Sequence, residues 1–159
     1  MNLNSKGWYA VKAVVILAQN KDCPISLEDI SGKLRISLSY LEQLFSKLRR
    51  ANLVKGVRGP GGGYIMLRPA NKILISDIFH AIEETFALEQ YYNYASQIQS
   101  SKEPPEIQDL RGALGNQILG FLQSVTVSDV CDSRIKPVMT QTQFSQADDS
   151  VSKWEPSGA

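Results

Sequence analysis

The stretch that most constrains this chain is VKGVRGPGGGYIML, residues 54–67, where five glycines and a proline separate two runs of strand-forming residues. Glycine inside a strand costs about 0.5–1 kcal/mol relative to alanine, so a cluster this dense needs a reason. A phosphate-binding loop reads G-x-x-x-x-G-K-[ST], with the lysine reaching the phosphates, and here no Lys-Ser or Lys-Thr follows. The dinucleotide fingerprint G-x-G-x-x-G fails as well, because Gly59 and Gly61 are followed by Tyr64 where the last glycine belongs. A plain hairpin turn needs only one or two residues of positive φ. Five glycines with Arg58 at the strand end instead make a slim loop that lets one cation reach into a narrow space. A narrow minor groove attracts an inserted arginine. The residues therefore favour a wing that probes DNA.

The flanking pattern supplies the rest of such a domain. Trp8, Val11, Val14, Val15 and Ala18 recur at helical spacing between Ser5 and roughly Asn20, and Pro24 bars continuation. Ser26 is an N-cap with Asp29 three residues on, followed by Leu27, Ile30 and Leu34 on one face. After the break at RISLS, Ser39 and Glu42 read as a capping box for a third helix. Its buried stripe is Leu41, Leu44, Phe45 and Leu48, and Asn52 is its stop. Two short helices separated by a few residues form a helix-turn-helix. Strands at Leu53–Val57 and Tyr64–Leu67 follow, and then a capped helix from about Ser76 with Ile78, Phe79, Ile82 and Phe86 as its apolar face. The Tyr-rich segment ending at Pro104-Pro105 reads as a loop. A long amphipathic helix runs from about Pro105, with Ile107, Leu110, Leu114, Ile118, Phe121, Leu122 and Val125 at spacings of three, four and seven. From about Lys136 the chain offers little to bury and reads as a disordered tail. The predicted fold is mainly α with a small β-hairpin: a winged helix-turn-helix domain over residues 1–86, a loop over 87–104, a dimerisation helix over 105–135 and a tail over 136–159.

The net charge of +1 conceals an asymmetry. Residues 1–70 hold 11 Lys/Arg against 4 Asp/Glu, a net of +7, whereas residues 71–159 hold 6 against 12, a net of −6. A basic first half predicts a polyanionic partner for that half alone. The longest apolar run, Ala13–Ala18, is too short to span a bilayer, and MNLNSKG lacks the apolar region of a secretory signal, so a cytoplasmic protein with no membrane partner is expected. Cys23 and Cys131 stand 108 positions apart, which matches neither a disulfide framework nor metal-ligand spacing. No nucleophile–base pair or paired carboxylates stand out, and the chain is not read as an enzyme.

SKGWYAV, ISLSYLEQLFSKLRRANLVKGVRGPGGGY and ISDIFHAIEE together closely resemble the bacterial winged-helix regulators of the IscR-like family, densely over residues 1–86 and more weakly over 105–130. The resemblance implies a homodimer that places two recognition helices in successive major grooves of double-stranded DNA and two wings in the flanking minor grooves. Ser37, Ser39, Tyr40, Glu42 and Gln43 match the family's recognition helix, Arg58 and Gly59 match its wing, and Lys6 and Tyr9 resemble phosphate contacts at the start of the first helix. Gln43 is chemically suited to adenine through its bidentate amide, and Glu42 to cytosine N4. Duller roles stand beside these: Ser39 and Glu42 as helix caps, Tyr40 as partly core, and Lys47, Arg49 and Arg50 as cations suited to a helix C-terminus or to phosphate.

One departure from the family is sharp. Relatives that bind an iron–sulfur cluster carry three closely spaced cysteines and a fourth ligand between the fourth helix and the long helix. Here that region reads FALEQYYNYASQIQSSKEPPEIQDL, with no cysteine or histidine, and Trp8 stands where some relatives take an acidic ligand. The sole histidine, His80, lies within the fourth helix as a structural or surface residue. Such clusters require thiolates, so no metal and no cofactor is expected. In their place Tyr91, Tyr92 and Tyr94, with Trp8 of the partner subunit, read either as surface aromatics or as the lining of an aromatic pocket between subunits that takes a small organic ligand or docks a regulatory protein. The function expected is a sequence-specific DNA-binding transcriptional regulator without a cluster. Its rival is a winged-helix adaptor whose wing binds another protein.

Overall fold

The computed structural model describes residues 5–20, 23–82 and 104–135. Helix α1 (Ser5–Gln19) lies at the centre, in contact with α2 (Leu27–Leu34), α3 (Leu38–Arg50), α4 (Ile75–Ile82), the second hairpin strand and a short helix near residue 130. That central position explains its composition. Ala10, Val11, Ala13, Val14, Leu17 and Ala18 are all buried, a wider face than a surface helix carries, while Trp8 stays 42% exposed and Val15 is half-buried.

The helix-turn-helix forms where its caps dictate. The Ser26 hydroxyl accepts the Asp29 N–H at 3.1 Å and donates to the Asp29 carboxylate at 2.8 Å, which starts α2, and Arg35 ends it in the left-handed region at φ 54°. The cap of α3 is Ser37, whose hydroxyl accepts the Tyr40 N–H at 3.2 Å. The expected Ser39–Glu42 box does not form, because both serines suit a cap and the earlier one brings half-buried Leu38 into the first turn. Ser39 and Glu42 are instead exposed on the helix. Leu41, Leu44, Phe45 and Leu48 are buried as their spacing predicts, and Asn52 follows the helix at φ 57°.

Strands β1 (Val54–Val57) and β2 (Gly63–Met66) pair antiparallel with Val54 opposite Met66 and Val57 opposite Gly63; β1 starts one residue later than expected and β2 lies one residue earlier. A single bridge fastens the hairpin to the α1–α2 connection: Ile25 N–H donates to Tyr64 O at 3.1 Å and Tyr64 N–H to Ile25 O at 2.8 Å. Gly63 sits there at φ 154°, and a Cβ on it would run into the Ile25 carbonyl, so only glycine fits. The Phe45 ring meets Tyr64 edge-on at 4.7 Å, joining recognition helix to wing.

Beyond the hairpin a 3₁₀ turn (Ala70–Lys72) leads into α4, whose start is tied by Leu74 N–H donating to the Asp77 carboxylate at 3.1 Å. Helix α5 (Pro105–Ser124) follows, with 20 residues spanning about 30 Å at 1.5 Å per residue. The span 105–135 is not one helix. It breaks at Val125, where Ile75 N–H donates to Val125 O and Val127 N–H to Ile73 O, both at 2.9 Å. Thr126 then opens α6 (Val127–Cys131) with a capping box, its hydroxyl accepting the Asp129 N–H while the Asp129 carboxylate accepts the Thr126 N–H. Val127 is fully buried, so the chain returns to the winged-helix core instead of leaving it. Sequence reasoning passed over this T-x-x-D signature and ran the span on as a single dimerisation helix. Among the described residues no helix is long and apolar enough to cross a membrane. The expected tail at 136–159 and most of the loop at 87–104 lie outside the described residues.

Candidate nucleic-acid interface

Helix α3 presents two contrasting faces. Its floor is the buried Leu41, Leu44, Phe45 and Leu48, and its outer side exposes Ser39, Glu42 and Gln43. The side chains best able to read base edges are thus held on a rigid element with their polar ends in water. Ser37 is exposed as well, with its hydroxyl engaged in the cap. Tyr40 is half-buried and meets the Tyr9 ring of α1 edge-on, with centroids 6.1 Å apart. Burial pushes the Tyr40 phenol above its ordinary range, and Tyr9 adds in the same direction, so Tyr40 is a neutral hydrogen-bond donor near pH 7.

On α1, Lys6 is exposed near the N-terminus and Tyr9 is half-buried. Lys12, one turn after Tyr9, holds its ammonium 5.3 Å from the centre of the Tyr9 ring and is exposed. Sequence reasoning passed over Lys12, although its spacing of three from Tyr9 puts it on the same stripe.

The wing tip carries Arg58, exposed, followed by Gly59 at φ 103° and Gly61 at φ 71°. Gly62 N–H closes the turn on Gly59 O at 2.8 Å, and a Cβ on Gly62 would collide with the Val57 and Gly59 carbonyls. Glycine is needed for a different reason at each position: Gly62 has no room for a side chain, whereas Gly59 and Gly61 have open space but a positive φ that L side chains rarely adopt. Arg49 and Arg50 at the end of α3 and Lys55 on β1 are exposed cations as well. Lys47 departs from that group: its ammonium turns inward and donates to the Ile82 carbonyl of α4 at 2.8 Å.

Of the four residues expected at an aromatic pocket, one is among the described residues. Trp8 is 42% exposed and stands edge-on to Phe79 at 5.4 Å, while Tyr91, Tyr92 and Tyr94 lie outside the described residues. His80 is exposed on α4. Among the described residues no three or more histidine, cysteine or acidic side chains are grouped to hold a metal ion. Cys131, half-buried, lines a depression of about 520 Å³ beside Leu17 and Arg68, whereas Cys23, exposed, lines a different one beside Glu28 and Lys33. Iron–sulfur clusters take three or four thiolates as a rule. Two cysteines in the whole chain, placed apart, do not fit that donor set.

Residues 3–133 match the Rrf2 family, described as an iron-dependent transcriptional regulator. The chain is 40% identical over 141 residues to the HTH-type transcriptional regulator IscR of Cereibacter sphaeroides, covering 86% of this chain and 91% of that protein. It is 50% identical over 86 residues to IscR of Xenorhabdus nematophila, an alignment that takes in 54% of this chain and 52% of the relative. Among solved structures, T. potens IscR superposes with a TM-score of 0.68 at 30% identity, covering 89% of this chain and 93% of the other. CymR, the global cysteine regulator of B. subtilis, gives 0.70 at 29% identity, with 84% and 98% covered.

Proposed function

Since the chain belongs to the Rrf2 family and is a DNA-binding transcriptional regulator, we propose that it works as a homodimer that reads specific sequences without an iron–sulfur cluster. The observation that carries this reading is the exposed Ser39–Glu42–Gln43 face of α3 standing over a fully buried floor, next to a wing that holds Arg58 at its tip. In the proposed complex α3 enters the major groove, where Gln43 offers both donor and acceptor to adenine and Glu42 accepts from cytosine N4. Arg58 and the Gly59 backbone enter the minor groove, Lys6 and Tyr9 lie toward the phosphates, and Ser37, Ser39 and Tyr40 belong with the recognition helix. The apolar stripe of α5 joins the two copies. Control comes from a small ligand or a partner protein received near Trp8, the protein acts in the cytoplasm, and it carries no enzymatic activity.

Selection of duplexes from a random library by the purified protein tests this. A single enriched motif with two-fold symmetry is expected, together with a log–log salt slope of several units, since about 0.9 is lost per phosphate neutralised. No enrichment and a flat salt response would leave the protein-binding adaptor as the better account. Protein purified without oxygen should be colourless; stoichiometric iron and inorganic sulfide would overturn the cluster-free part.

A further inference from the structure

The four buried residues of α3 set which face of the helix turns inward, and directed contacts add a finer restraint on its rotation than the non-directional apolar driving force supplies. Beside the Phe45–Tyr64 ring contact with the wing, two directed contacts on α3 supply that restraint. Tyr40 meets Tyr9 of α1 edge-on, and the Lys47 ammonium donates to the Ile82 carbonyl of α4. These residues are seven apart, nearly two full turns, so they fall on one line of the helix about 10 Å from end to end. Gln43 lies between them, one turn from Lys47, with Glu42 beside it. A rotation of about 20° at the roughly 5–6 Å radius of a helix with its side chains moves an exposed tip by about 2 Å. Bidentate base contacts need donor–acceptor distances within about 2.7–3.2 Å, so a slip of that size loses them.

We propose that Lys47 is a positioning residue for sequence readout: it holds the recognition helix in rotation by its hydrogen bond to Ile82 and does not itself contact DNA. This rests on the reading of α3 as the base-reading helix, which the Gln43→Ala control tests separately. Lys47 is only half-buried, and a cation near the end of a recognition helix would ordinarily be assigned to phosphate. The two roles differ in what they leave behind. Losing a phosphate contact weakens binding to any duplex and reduces the salt slope by about 0.9. Losing a positioning bond weakens binding to the correct sequence alone.

The probes are the duplex most enriched by the parent protein and a shuffled duplex of the same length, titrated over a range of salt. Lys47→Met, which keeps the apolar stem and removes the donor, is expected to bind the enriched duplex about tenfold more weakly, or about 1.4 kcal/mol. Binding to the shuffled duplex should stay within twofold, with the salt slope unchanged. Lys47→Arg, which keeps a donor, should recover affinity to within threefold. If Lys47→Met does not fold, Lys47→Gln carries the same comparison. Equal losses on both duplexes with a slope lower by about 0.9 would make Lys47 a phosphate contact and overturn the proposal, as would unchanged affinity for both. Gln43→Ala should relax preference at one base position; if it does not, the reading of α3 fails whatever Lys47 does.

Discussion

The winged-helix head and helix α5 treat their apolar residues in opposite ways. In the head, the hydrophobic stripes of α1, α2, α3 and α4 are buried against one another, so that Phe45, Phe79 and Ile30 are essentially inaccessible to water. In α5, Leu110 and Leu114 are 65% and 54% exposed and Ile107 is 42% exposed, while only Gly115 and Leu122 are buried. Their glycines differ likewise. Gly63 has no room for a side chain beside Ile25, whereas a Cβ on Gly112 or Gly120 would meet nothing within 4 Å. Each helical glycine costs about 1 kcal/mol relative to alanine, so α5 is intrinsically weak as well as apolar on its outer side. The head is a fold that one chain completes, and α5 carries a surface suited to a second copy.

The largest effect should come from that surface. Leu110→Asp with Leu114→Asp puts two charges on an already exposed stripe, and analytical ultracentrifugation should report a dimer for the parent and single chains for the variant. A dimer that survives would place the interface elsewhere and dissolve the contrast between the two regions. Gly63→Ala attacks the head instead. Its φ of 154° and the Ile25 carbonyl leave the methyl no room, so a loss of about 3 kcal/mol is expected in chemical denaturation. An unmoved midpoint would show that the hairpin is not fastened to the core.

Arg58→Ala separates reading from folding within the head. Because the side chain is an exposed loop cation, the thermal midpoint should hold while affinity for the enriched duplex drops about tenfold. Retention of affinity to within twofold would remove the wing from the interface. The smallest effect concerns the junction that joins the two regions. Hydrogen bonds from the Thr126 hydroxyl, at 2.6 Å, and from the Thr126 backbone, at 3.0 Å, hold the Asp129 carboxyl below its ordinary range. A depressed folded-state pKa stabilises above the unfolded value and loses that contribution as pH falls through the folded one. The difference in denaturation midpoint between the parent and Asp129→Asn should therefore be full above about pH 4 and narrow below it. A difference independent of pH would deny the carboxylate its role in the cap.

Much of the head was legible before any coordinates, because its information is local. The glycine density of 54–67, the spacing of Leu41, Leu44, Phe45 and Leu48, and the Ser26–Asp29 cap each act over a few residues, where periodicity and capping chemistry leave few alternatives. Arg58 came from the glycine loop, whereas Glu42 and Gln43 were singled out by the family resemblance. Local chemistry was silent wherever two solutions were equally good nearby. Ser37 and Ser39 both suit an N-cap, and burial of the first turn chose between them. Lys47, Arg49 and Arg50 are alike in sequence, and only the approach of α4 turns Lys47 inward to Ile82. The break after Ser124, the return of Val127 to the core and the bridge from Ile25 to Tyr64 join residues tens of positions apart, and no period encodes such pairings. The sequence by itself determined which segments are helix, hairpin and wing, since those depend on contacts a few residues long. The tertiary structure alone decided which of several equivalent polar groups faces the solvent and which is tied to a neighbouring helix, because that choice depends on what the rest of the chain brings within hydrogen-bond reach.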